Sequence, residues 1–243
     1  KCLYVIGNEQ ALYFKQIFAI AKIMGIDKKY IDGLEFVGYG MLRLPEGKMS
    51  TRKGNFVEVE GLLEDAINRV KKVILEKDNL DGMNIEDVSK KVGLGAVVFS
   101  NLLDSRVKDS VFDVNSAISF QGDTGPYVQY MAVRTKSVLT KVNNDISKDI
   151  DFSILIDDSS LNLIKVLSNF EEVLQSALEK NEPSFISRYL LDVAKAFSVF
   201  YNNDKIICDD KKIQDARVYL TYVTNKVLNR GLNLLGIQVP DKM

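Results

Sequence analysis

The order of apolar and polar residues divides the chain in two. Leu3, Tyr4, Val5 and Ile6 form an apolar run ending at Gly7-Asn8, and a helix-like spacing follows, which predicts a strand, a tight turn and a helix. The helix starts near Asn8, turns Leu12, Ile17, Ile20 and Met24 toward a core, and stops at Gly25, a residue suited to the position just past a helix end. A second extended run, 34–44, is interrupted by Gly38 and Gly40 and leads into a polar loop, 45–54; Phe56, Val57, Glu58 and Val59 then alternate like a short strand. Strand, helix and strand with short connections build a parallel α/β sheet, whose ligands lie at the carboxyl ends of the strands.

From Leu62 the apolar period changes from two to about 3.6. Leu62, Leu63, Ala66, Ile67, Val70, Val73 and Ile74 make one face, with Glu64 and Asp65 early and Lys71 and Lys72 late, as a helix dipole favours. Further helices are expected around 84–104, 126–143, 159–179, 184–202 and 212–235, with Asn84 and Thr124 marking two starts. The polar stretch 143–158 reads as a loop or short insertion. The fold class is therefore α/β followed by all-α, with domains at 1–112 and 113–243.

Composition narrows the chemistry. The 243 residues carry 32 Lys and Arg against 33 Asp and Glu, a net charge of −1, so any contact with nucleic acid must come from local patches. No histidine is present, which excludes Ser-His-Asp triads, Cys-His dyads and His-ligated zinc from this chain. Cys2 and Cys208 lie too far apart in sequence for a metal knuckle or redox pair and fit a reducing, cytoplasmic setting. No run approaches the length of a membrane span, and none points to a membrane partner. Residue 1 is Lys, and the apolar run begins almost at once; this reads as a fragment that starts inside a domain.

Three segments carry candidate chemistry. In Gly47-Lys48-Met49-Ser50-Thr51-Arg52-Lys53-Gly54, glycines flank a cationic loop suited to a polyphosphate, where cations and backbone amides stabilise a departing pyrophosphate. Taken alone, a solvated basic hairpin is the simpler explanation. In Gly7-Asn8-Glu9-Gln10, glycine allows a nucleotide to approach the backbone and the carboxylate two residues later can accept ribose hydroxyls; an ordinary capped turn also fits. In Gly122-Asp123-Thr124-Gly125-Pro126-Tyr127, followed by Tyr130 and Arg134, rings and a guanidinium recur at three and four residues. They suit unstacked RNA bases and phosphates, or the tyrosines fill a bundle core.

In order and spacing these segments resemble the C-terminal part of arginyl-tRNA synthetases, class I enzymes. Lys48-Met49-Ser50-Thr51-Arg52 resembles the second class I signature, K-M-S-K-S, and residues 4–16 resemble the segment with the G-x-D-Q-x-x-H pattern. Residues 112–134 resemble the family's distinctive stretch around S-F-Q-G-D-T-G-P-Y-V-Q-Y, Asp215-Ala216-Arg217 resembles the D-A-L-R sequence that names the anticodon-binding bundle, and residues 229–243 resemble the family terminus. The resemblance implies the last part of a Rossmann-like class I catalytic domain joined to a helical anticodon-binding bundle. It also implies ATP-dependent ligation of arginine to its tRNA through arginyl-adenylate, with Mg accompanying ATP, in a full-length enzyme that is a monomer; a non-catalytic RNA-binding helical module is the alternative. By motif match, Lys48, Ser50, Arg52 and Lys53 serve the phosphates, Met49 lies near the adenine, Gly7 and Glu9 face the ribose, and Gln10 holds arginine. Tyr127, Tyr130, Arg134, Tyr201 and Met243 form the tRNA side.

Some positions depart from the pattern. Thr51 stands where the general signature has Lys, Glu9 replaces the common Asp, and Tyr13 and Ala132 stand where His is common. The first class I signature, H-I-G-H, the acid expected to pair with the substrate guanidinium and the family's N-terminal domain are not in this chain. The isolated chain is therefore expected to be inactive.

Overall fold

A computed structural model describes residues 1–43, 58–76, 82–143, 146 and 150–243. They form two compact units: 1–55 with 104–112, and 56–103 with 113–243.

In the first unit, β1 (Cys2–Gly7) lies parallel to β2 (Leu34–Tyr39), in register from Cys2 opposite Leu34 to Gly7 opposite Tyr39. Between them run α1 (Ala11–Ile23) and the short α2 (Lys28–Ile31). A second parallel pair joins β3 (Leu42–Arg43) to β4 (Ser110–Val111). The predicted strand–helix–strand order is therefore present, and Gly25 takes φ +75° after α1, a conformation that favours glycine.

The inner face of α1 differs from expectation. Phe14 is buried, stacked on Phe36 at 5.4 Å and beside Tyr4 at 5.2 Å, while Phe18 meets Tyr4 at 5.6 Å. Leu12, Ile20 and Met24 are exposed and Ile17 is half-buried. The helix is apolar on two sides, and the side bearing the larger rings, which bury more area and pair with rings on the sheet, faces inward. Val59 likewise departs from the predicted strand by opening a helix.

The second unit is helical. It contains α3 (Val59–Leu75), α4 (Ile85–Leu103), the short α5 (Val114–Ala117), α6 (Gly125–Lys141), α7 (Asp158–Ser168), α8 (Phe170–Lys180), α9 (Ser184–Asn203) and α10 (Lys211–Leu234). The expected helix over 159–179 is two helices meeting at Asn169, where Phe170 stacks on Tyr189 at 5.8 Å. Starts follow capping chemistry: Asn84 Oδ1 accepts from the Asp87 amide, and Thr124 Oγ1 from the Tyr127 amide. Helix α9 runs through the core, with Leu190, Phe197 and Phe200 fully buried beside Leu163, Leu228 and Leu232. Against α3, Gly93 permits close approach, since a Cβ there would lie 2.7 Å from Ile67 Cα. Thus α3 and α4 pack with the helical unit while 104–112 packs with the first, so the compact units interleave in sequence.

Candidate functional site

The first candidate site lies at the carboxyl end of β1. Gly7 is buried, and Asn8–Gln10 form a single 3-10 turn that leaves Glu9 and Gln10 exposed. Asn8 does not act as a cap: its Nδ2 donates to the Val107 carbonyl at 2.9 Å, fixing the turn to the segment before β4. The Glu9 carboxylate folds back over Gly7, where an added Cβ would lie 2.8 Å from either carboxylate oxygen. An acceptor carboxylate, the glycine backbone beneath it and an exposed amide thus meet at one strand end, the position from which α/β sheets present ligand groups. Arg43, at the entry to the basic loop, is held by Asp109 at 2.9 Å, and Asp109 also accepts from the Met41 amide at 2.8 Å. Lys48, Met49, Ser50, Thr51, Arg52 and Lys53 lie outside the described residues.

The second candidate site lies on α6 and α9. The Arg134 guanidinium sits 4.6 Å from the Tyr130 ring centre and 4.8 Å from that of Tyr201, and it also donates to the Tyr130 hydroxyl. Three expected residues therefore form one half-buried cation–aromatic cluster. Tyr127 is half-buried against the core one helical turn earlier, close enough to help raise the Lys195 pKa; the largest contribution there is the hydrogen bond to Asp123, at 2.6 Å. Met243 is half-buried at the chain end. The tail before it is held by Gln129, fully buried on α6, which donates to the carbonyls of Lys91 and Gln238.

Sequence reasoning missed a clasp that shapes this unit. Arg217 Nη2 reaches Asp204 at 2.9 Å and Asp157 at 3.3 Å, its Nη1 donates to the Lys205 carbonyl, and Ser159 donates to Asp204. Burial works against the Asp157 carboxylate, but hydrogen bonds from Ser160 and Arg217 outweigh it and hold its pKa below the usual range. Arg217 is the arginine of the Asp215-Ala216-Arg217 motif; its partners lie 60 and 13 residues away, so only a residue count along the folded helices would have paired them.

Two family models match in order: residues 1–114 match the catalytic domain of class I (R) tRNA synthetases, and residues 128–243 match the DALR anticodon binding domain. Across all 243 residues the chain is 46% identical to an arginine–tRNA ligase of Halothermothrix orenii and 42% identical to one of Clostridioides difficile. Along its whole length the chain is therefore similar to part of an arginyl-tRNA synthetase. It spans 42% of the length of both relatives. Arginyl-tRNA synthetase of Thermus thermophilus superimposes on 99% of the chain with a TM-score of 0.87 at 29% identity, over 41% of its own length. The Plasmodium falciparum enzyme gives 0.80 at 22%, a likeness of fold alone. The fold is thus part of a class I catalytic domain followed by a DALR helical domain. Among the described residues no helix is long and apolar enough to cross a membrane.

Proposed function

We propose that this chain is the part of an arginine–tRNA ligase that supplies the second signature loop and the anticodon-binding bundle, with a functional boundary near residue 112. The supporting observation is one continuous chain in which a class I catalytic match precedes an anticodon-domain match. In the complete enzyme the arginine carboxylate attacks the α-phosphate of ATP, releasing pyrophosphate and forming arginyl-adenylate. The terminal 2′-hydroxyl of the tRNA then takes the arginyl group and AMP leaves. Magnesium enters with the nucleotide as part of the substrate.

In this reading Glu9 accepts ribose hydroxyls above Gly7, Gln10 orients arginine, and Met49 lies by the adenine. Lys48, Ser50, Arg52 and Lys53 neutralise charge developing on the leaving diphosphate, a task of positioning and electrostatics that needs no proton shuttle and so tolerates a histidine-free chain. Arg52 and Lys53 supply the cation that Thr51 lacks. Tyr127, Tyr130, Arg134, Tyr201 and Met243 receive the tRNA, which the rings bind by stacking on splayed bases while Arg134 meets phosphate. The enzyme works as a cytoplasmic monomer.

The test uses the complete ligase. Lys48→Ala is expected to slow adenylate formation in rapid-quench assays about a hundredfold or more while tRNA affinity stays within twofold. An unchanged activation rate would overturn the loop's role, and failure of the complete protein to charge tRNA with arginine would overturn the assignment.

A further inference from the structure

A second surface of the helical unit has the chemistry of a nucleotide site. An open cavity of about 900 Å3 lies between α6 and α10, within the size range of ligand-binding clefts. One wall is aromatic: Tyr222 lies 6.0 Å from Tyr219, whose ring packs edge-on to Phe152 at 5.2 Å. Lys226 stands 5.3 Å over the Tyr222 ring and is exposed, and Lys136 lines the far side, paired with Asp241 at 2.5 Å. Asn225 and Asn229 lie between these walls. The Asn225 amide donates to the Ala132 carbonyl and, at 2.8 Å, to Thr135 Oγ1; with both hydrogens committed, it has its carbonyl oxygen left to offer a ligand. Asn229 in turn donates to the Asn225 backbone carbonyl at 2.8 Å, which fixes the second amide and leaves Asn225 Oδ1 untouched.

The cavity is separate from the Tyr130–Arg134–Tyr201 cluster. Of its α6 residues, Ala132 follows Tyr130 and Lys136 follows Arg134 by two positions, about 200° around the helix. One nucleotide cannot lie on both faces.

The geometry points to a second RNA contact: the α6–α10 cavity takes a single-stranded nucleotide of the bound tRNA, its base against the Tyr219–Tyr222 wall and its donors toward Asn225 Oδ1, with its phosphate on Lys226. Aromatic faces accept any unstacked base, amide acceptors select bases with exocyclic amines, and a flexible cation meets the backbone. This inference rests on the proposed function, since it presumes tRNA as the ligand.

The experiment uses the complete ligase with three changes: Lys226→Glu, Asn229→Ala and, as reference, Arg134→Ala. Each is checked for an unchanged melting curve. Lys226→Glu is expected to weaken tRNA binding about tenfold at low salt and to lower the slope of log affinity against log salt by about one, leaving KM for ATP and arginine unchanged. Asn229→Ala is expected to weaken binding about threefold. A benzophenone side chain placed at position 222 is expected to cross-link a single-stranded tRNA nucleotide. Unchanged affinity and slope in both cavity variants, with Arg134→Ala still impaired, would overturn this inference and leave the proposed function standing. No loss in any of the three would overturn the tRNA-binding part of both. Cross-linking from position 222 only to another protein would also overturn the RNA assignment.

Discussion

The two units solve the burial problem differently. In the helical unit Phe99, Leu163, Leu190, Phe197, Phe200, Leu228 and Leu232 are wholly enclosed by residues of the same unit. Among the described residues of the α/β unit there are two sheets of two parallel strands each, α1 covers β1–β2 by its Phe14 face, and large apolar side chains remain in water: Val5 is 63% exposed, Leu12 67% and Ile23 85%. Parallel strands belong to sheets covered on both faces, and two strands alone are marginal. The helical unit therefore encloses a core of its own, whereas the described part of the α/β unit leaves much of its apolar surface open.

Substitutions at matched apolar positions would break or sharpen that contrast. Phe197→Ala, in the bundle core, is expected to cost about 4 kcal/mol in urea unfolding followed by far-ultraviolet dichroism. A cost near 1 kcal/mol would mean that the core is loosely packed and the contrast overstated. The next largest effect is expected at the clasp. Arg217→Ala leaves the Asp204 carboxylate, 8% exposed, without its cation, and breaking such a buried pair costs about 3 kcal/mol. If adding Asp204→Asn to Arg217→Ala restores none of that loss, the damage came from packing of the arginine stem instead.

How much of this was legible in the sequence depends on how local the cause is. Helix starts at Asn84 and Thr124 and the stop at Gly25 were readable because a cap acts within three or four residues. The cluster of Tyr130 and Arg134 was readable because both lie on one helix, and Tyr201 joined it through the family resemblance. The inner face of α1 was misread because both sides of that helix are apolar; only the rings of Tyr4 and Phe36 on the sheet decide between them. The Arg217 clasp and the α6–α10 cavity depend on residues brought together across tens of positions, for which periodicity carries no signal. The break at Asn169 was equally hidden, since an apolar stripe continues through it while the Phe170–Tyr189 stack comes from α9.

The contrast also predicts where acid acts. The pKa of Asp157 is held below its usual value, burial opposing and the Ser160 and Arg217 contacts prevailing. A carboxyl lowered on folding adds stability above its unfolded pKa, about 3.9, and that stability is lost as pH falls through the lower folded value. The helical unit should therefore lose stability below about pH 4, and Asp157→Asn should flatten that limb while lowering the plateau at pH 7. An acid limb of unchanged steepness in the variant would remove Asp157 as its source.

The smallest effect on stability is expected where the sequence looks most hydrophobic. Ile23, at the end of α1, is exposed and touches little of the unit to which it belongs. Ile23→Lys removes no buried contact, and a cation in the last turn suits the helix dipole, so the unfolding free energy of this chain should stay within about 0.5 kcal/mol. Self-association is a separate matter, because a contiguous exposed apolar face drives association between copies; the substitution should therefore reduce concentration-dependent sedimentation of the chain. A destabilisation comparable to that of Phe197→Ala would show that Ile23 is covered within the chain and that the α/β unit closes its own core. If only association changes, the apolar residues of α1 serve contacts beyond those this chain makes with itself.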